Sequence, residues 1–132
     1  MKKHRVLIAL RESIALQALD ITLHELGIEV KTVKSGLGIV ETCLLDEDVF
    51  LIVFDVDMPD MNGYEVVRYL RQYCNPDLCC IMVAYFSIAS VGLALSMGCN
   101  EFIAKPLRED EMKTLIVKYY DAYAGHTLQT GN

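Results

Sequence analysis

The chain has 132 residues, enough for one hydrophobic core and too few for a second domain of ordinary size. With 53% hydrophobic and 23% charged residues it falls in the globular range, which excludes wholesale disorder. The net charge of -6, with no clustered Lys and Arg, argues against nucleic acid as a direct partner.

In chain order, strand-like runs alternate with helix-like stripes. Val6 to Leu10 is continuously apolar, as a strand buried on both faces must be. Leu16, Leu19, Leu23 and Leu26 then recur at helical spacing, and Gly27 stands where a helix end favours a left-handed residue. Ile28 to Val33 is a shorter, more polar strand suited to a sheet edge. Leu37, Val40, Cys43 and Leu44 form a second helical stripe. Phe50 to Phe54 is the most apolar strand and is expected at the sheet centre.

After a turn-rich stretch from Asp57 to Gly63 comes a third helix carrying Val66, Val67, Leu70 and Cys74, closed by Asn75-Pro76-Asp77. The fourth strand is Cys80 to Ala84, the fourth helix Ile88 to Met97, and the fifth strand Phe102 to Ala104. Met112, Leu115, Ile116, Tyr119 and Tyr123 line the last helix. The pattern is that of an α/β protein of (βα)5 type, a doubly wound five-stranded parallel sheet. The whole chain, 1–132, reads as a single domain with a core from about 5 to 123 and a polar tail over 124–132.

The five cysteines, Cys43, Cys74, Cys79, Cys80 and Cys99, are odd in number and irregular in spacing, which fits reduced, mostly buried thiols. Cys79 and Cys80 are consecutive in a strand and should face opposite sides. His4, His24 and His126 lack metal-ligand spacing. The apolar stretch after the basic start ends at Arg11, too soon for a secretion signal. Residues 78–100 carry no charge, yet their serines and glycines fit a strand, a turn and a helix rather than a membrane span.

In an open parallel sheet, ligands bind beyond the carboxyl ends of the strands. Those exits hold Leu10, Arg11 and Glu12 after the first strand, Asp55 to Asp57 after the third, Ala84 and Tyr85 after the fourth, and Lys105-Pro106 after the fifth. An acid and a lysine thus converge there, and a charged pair at the exits of central strands rarely serves stability alone. A plain Asp55–Lys105 ion pair is the purely structural alternative.

The stretch FDVDMPDMNG, Phe54 to Gly63, resembles the phosphoacceptor segment of response-regulator receiver domains, and GCNEFIAKPL, Gly98 to Leu107, resembles their closing lysine-proline segment. The resemblance runs from Arg5 to about Tyr123. It implies a flavodoxin-like fold of strand order 2-1-3-4-5 and no enzymatic activity. It makes Asp55 the acceptor of phosphate from a histidine kinase or phosphotransfer protein and Lys105 the group that neutralises the phosphoryl oxygens. It further implies that Pro106 shapes a turn often entered through a cis bond, and that Phe102 is the aromatic switch. A cytoplasmic location is expected from the reduced cysteines.

The sequence also departs from that family's pattern. Two acidic residues that would hold magnesium are replaced by Leu10 and Arg11, leaving Glu12, and the phosphate-binding hydroxyl is replaced by Ala84, followed by the bulky Tyr85. Magnesium requires oxygen ligands; only Glu12, Asp55 and the backbone of Asp57 remain, so binding is expected to be weak or absent. Arg11 is expected to pair with Asp55 as a fixed cation in the metal's place, and Tyr85 to cover Asp55. Phosphorylation should then be impaired, and the coupling from Ala84 to Phe102 loses its first link.

The uncharged fourth helix suggests a contact patch of Ile88, Val91 and Leu95 with Phe102, either for a downstream protein or as a homodimer seam formed with the fifth strand and helix. A more deeply buried helix is the alternative. Two other functions stay open: a working phosphoreceiver that recruits its metal through Glu12, Asp55 and Asp57, and a flavodoxin-like nucleotide-binding enzyme. The latter would need a glycine-rich loop after the first strand, which Leu10-Arg11-Glu12-Ser13 does not supply.

Overall fold

The computed structural model describes residues 4–124, so the predicted tail from 125 onward, with His126, lies outside the described residues. The strands are β1 (Arg5–Ala9), β2 (Glu29–Thr32), β3 (Val49–Asp55), β4 (Cys79–Tyr85) and β5 (Glu101–Lys105). The helices are α1 (Ser13–Glu25), α2 (Gly36–Leu45), α3 (Gly63–Tyr73), α4 (Ile88–Ser96) and α5 (Glu109–Ala124). All strand pairs are parallel and the sheet order is β2-β1-β3-β4-β5, as the resemblance implies. The apolar β3 is central, every residue of it buried, and the polar β2 is an edge.

Strand alternation divides the core in two. Val6, Ile8, Val53, Cys79 and Ile81 pack towards α1 and α5 with Leu19, Leu23, Met112 and Ile116. Leu7, Ile52, Phe54, Cys80 and Met82 pack towards α2 and α3 with Ile39, Val66, Val67 and Leu70. Cys79 and Cys80 thus face opposite layers as expected, and burial pushes both thiols up to about 12.

Helix ends follow local chemistry. Gly27 closes α1 at φ 78°, the left-handed conformation an L side chain resists. Ser35 caps α2 by accepting from the Gly38 amide, Asn62 caps α3 by accepting from Glu65, and Ser87 with Ser90 forms a capping box on α4. At the sheet's amino edge, Arg71 donates to the carbonyls of Gly98 and Leu78 and to Asn100 Oδ1, tying α3 to the β5 approach.

Among the described residues no helix is long and apolar enough to cross a membrane, and the uncharged 78–100 stretch divides into β4 and α4. The stripe predicted for α2 is rotated, with Leu37 and Leu44 about half exposed and Ile39, Val40 and Cys43 inward. In so apolar a helix, spacing does not fix which face turns in. Likewise Tyr123 is 41% exposed, while Val117 and Tyr120 take core places.

Candidate functional site

The exits of β1, β3 and β5 bring one lysine and two acids together. Asp55, the last residue of the central strand, is fully buried. Its Oδ1 accepts from the Asp57 amide at 3.2 Å, and its Oδ2 lies 2.8 Å from Lys105 Nζ. The same ammonium lies 2.7 Å from Glu12 Oε1. Lys105 ends β5 just before the cis Lys105–Pro106 bond, its side chain almost wholly covered. The contact to Asp55 is an ion pair that falls short of hydrogen-bond geometry, so Asp55 Oδ2 has no hydrogen-bond partner; the covered Glu12 Oε2 has none either.

Glu12 stands at the N-cap of α1 without capping it; its carboxylate goes to Lys105 instead. Burial pushes the Glu12 carboxyl up, but the contacts with Lys105, its own backbone and Asp55 together hold it below the usual carboxylate range. Burial works against the Lys105 ammonium too, and the two carboxylates outweigh it, raising the group above its ordinary value.

Arg11 does not take the expected place on Asp55. It is exposed and, among the described residues, makes no ion pair; the built-in cation is Lys105. Physically, Asp55 already has an ammonium against it. A guanidinium there would give up its hydration to stand beside a like charge. Leu10 turns inward and joins the core beneath α1 and α5. Tyr85 is 71% exposed, and its ring centroid stands 5.3 Å from Lys105 Nζ, so the phenol engages the ammonium by a cation–π contact rather than serving as the cover predicted for Asp55. Ala84 is buried beside Ala104 of β5 and presents only a methyl group.

Magnesium needs several oxygens at near-octahedral angles. Here Glu12 and Asp55 share one ammonium, Leu10 offers no oxygen, and the Asp57 side chain is exposed. Among the described residues no group of three His, Cys, Asp or Glu side chains is arranged to hold a metal. The donor set does not fit magnesium.

Asp60, unremarked in the sequence, clamps the β3–α3 loop. Its carboxylate accepts from the amides of Gly36 and Leu37 at the start of α2, at 2.9 and 3.0 Å. Gly36 permits this closeness, since a Cβ there would stand 2.6 Å from Met61 Cβ. No local signal links residues 24 apart. Lys34 follows the exit of β2, where the same strand-exit rule places it.

On the far face, Ile88 is 85% and Leu95 52% exposed, Val91 and Phe102 are half-buried, and only Ala94 of α4 is buried. The alternative of a deeply buried α4 is therefore excluded. Tyr85 and Phe86 extend the exposed apolar surface at the start of α4.

The model of the response regulator receiver domain matches residues 6–117. The cell cycle response regulator CtrA of Brucella ovis is 30% identical over 132 residues, covering 97% of this chain and 56% of the relative. The chain thus spans about half the length of the curated relatives it matches. A CheY-like receiver domain protein from Methanospirillum hungatei superposes with TM-score 0.82 at 23% identity, over 94% of this chain and 98% of that one. The receiver domain of a sensor histidine kinase from Pseudomonas aeruginosa, crystallised with magnesium coordinated in its active-site cleft, superposes at 0.75 with 19% identity, over 89% of this chain and 97% of that one. These two structural likenesses show the fold alone.

Proposed function

Because the chain belongs to the response regulator receiver domains, the switch modules of two-component signalling, we propose that it acts as a protein-interaction switch whose magnesium-dependent phosphorylation at Asp55 is impaired. The observation that carries this reading is the Lys105 ammonium seated between Asp55 and Glu12. Transfer of a phosphoryl group depends almost wholly on positioning and on neutralising its oxygens. Lys105 is occupied by the two carboxylates, Leu10 supplies no metal ligand, and the Ala84 methyl donates no hydrogen bond. The coupling from Asp55 to Phe102 therefore lacks its hydroxyl link.

The upstream partner in this reading is a histidine kinase or phosphotransfer protein, and the location is cytoplasmic. The downstream partner is a protein, or a second copy of the chain, held on the α4–β5–α5 face, where Ile88 and Leu95 are exposed. The protein is a signalling component and not an enzyme.

A second reading, a working phosphoreceiver with magnesium on Glu12, Asp55 and the Asp57 carbonyl, is favoured by the partnerless Glu12 Oε2. Incubation with acetyl phosphate and magnesium, followed by intact mass measurement beside an Asp55→Asn control, separates the two. The expected result is no phosphoryl adduct, or only slow accumulation. Adduct formation at the rate of ordinary receivers, lost in Asp55→Asn, would establish the second reading.

A further inference from the structure

A cleft of about 330 Å³ is lined by the apolar Leu10, Leu16, Met58 and Pro59 and by two exposed cations, Arg11 and Lys34. It lies between the exits of β1 and β3. Connections leave these strands in opposite directions along the sheet, and this is the crevice where doubly wound folds accept ligands. Among the described residues neither Arg11 nor Lys34 makes an ion pair or a hydrogen bond, although the protein carries an excess of acids. Two unpaired like charges lining one cleft repel each other, and an anion between them relieves that repulsion. The volume is at the small end of ligand sites.

We infer that this cleft binds a small amphipathic anion. Its carboxylate or phosphate meets Arg11 and Lys34, and its apolar body lies on Leu10, Leu16, Met58 and Pro59. The departures at the end of β1 thereby acquire a role: an acid-lined metal turn has become one wall of an apolar cleft with a cationic rim. The cleft touches both loops that frame Asp55, through Leu10 and Arg11 on one side and Met58 and Pro59 on the other. The inference is independent of whether Asp55 accepts phosphate.

The test uses the full chain and two fluorescent probes of similar body, anilinonaphthalene sulfonate, which is anionic, and N-phenylnaphthylamine, which is uncharged. The sulfonate should bind one site, shifting the amide resonances of Arg11, Ser13, Lys34 and Met58. Arg11→Gln and Lys34→Gln should each weaken it up to about fivefold, as should salt near 1 M, where the screening length is about 3 Å. The uncharged probe should be indifferent to both substitutions, and Ile88→Ser should leave the sulfonate's affinity unchanged. Displacement by decanoate assigns a carboxylate ligand, and displacement by adenosine monophosphate assigns a phosphate. Displacement by neither, shifts confined to Tyr85, Phe86 and Ile88, or equal loss of both probes in the charge variants would overturn the inference.

Discussion

The two edges of the sheet treat their partly buried cations differently. At the amino edge Arg71 is surrounded by neutral acceptors, the carbonyls of Leu78 and Gly98 and the amide oxygen of Asn100, and the cluster is satisfied by hydrogen bonds. At the carboxyl edge Lys105 faces two carboxylates, and Asp55 Oδ2 and Glu12 Oε2 are left without hydrogen bonds. The first arrangement holds α3 against β4 and β5. The second pairs its charges but leaves two covered carboxylate oxygens without hydrogen bonds, a state that costs stability and is typical of places that meet something else. The difference separates scaffold from site without reference to relatives.

The largest expected effect comes from removing the site cation. Lys105→Met leaves the Asp55 carboxylate buried and unpaired, and urea denaturation should show a loss of about 3–5 kcal/mol. Adding Asp55→Asn removes the stranded charge, so the double variant should be more stable than Lys105→Met alone. If the double variant is no better, Lys105 contributes packing rather than charge. Arg71→Met frees carbonyls that can partly reach water and should cost about 2 kcal/mol, less than the lysine. The reverse order would break the contrast between the edges.

A smaller effect appears with pH. The lowered Glu12 value means its contribution is complete above the ordinary carboxylate range and is lost as pH falls through the lowered value. The raised Lys105 value means its contribution is complete below the ordinary lysine range and is lost as pH rises through the raised value. The stability gap between the native chain and Glu12→Gln should therefore be open at neutral pH and narrow as the pH falls below the ordinary carboxylate range. A gap that widens on acidification would contradict the pairing. Smallest of all, Arg11→Gln should change stability by less than about 0.5 kcal/mol, because an exposed unpaired guanidinium holds nothing in place.

Much of this was readable from residue order. The unbroken apolar run of β3 places Asp55 at a central exit, and the lysine-proline pair closes the matching exit of β5. Both are strand-end positions, and strand ends follow from hydrophobic runs. What spacing does not give is the direction of a side chain in a turn. Leu10 and Arg11 are adjacent, and the core accepts the leucine while water keeps the arginine, so the predicted Arg11–Asp55 pair did not form. Nor does a sequence announce a contact such as Asp60 to the α2 amides, which exists only once the β3–α3 loop lies against the start of α2. The rotated stripe of α2 has a similar cause: when nearly every residue is apolar, tertiary packing chooses the face.

The central claim, that a lysine fixed between Glu12 and Asp55 does the work of a removable metal ion, is tested most directly by titrating magnesium into the labelled protein while following the amide resonances of Glu12, Val56 and Asp57. The account predicts that they stay in place through millimolar magnesium. A saturable shift of all three, absent in Asp55→Asn, would contradict it.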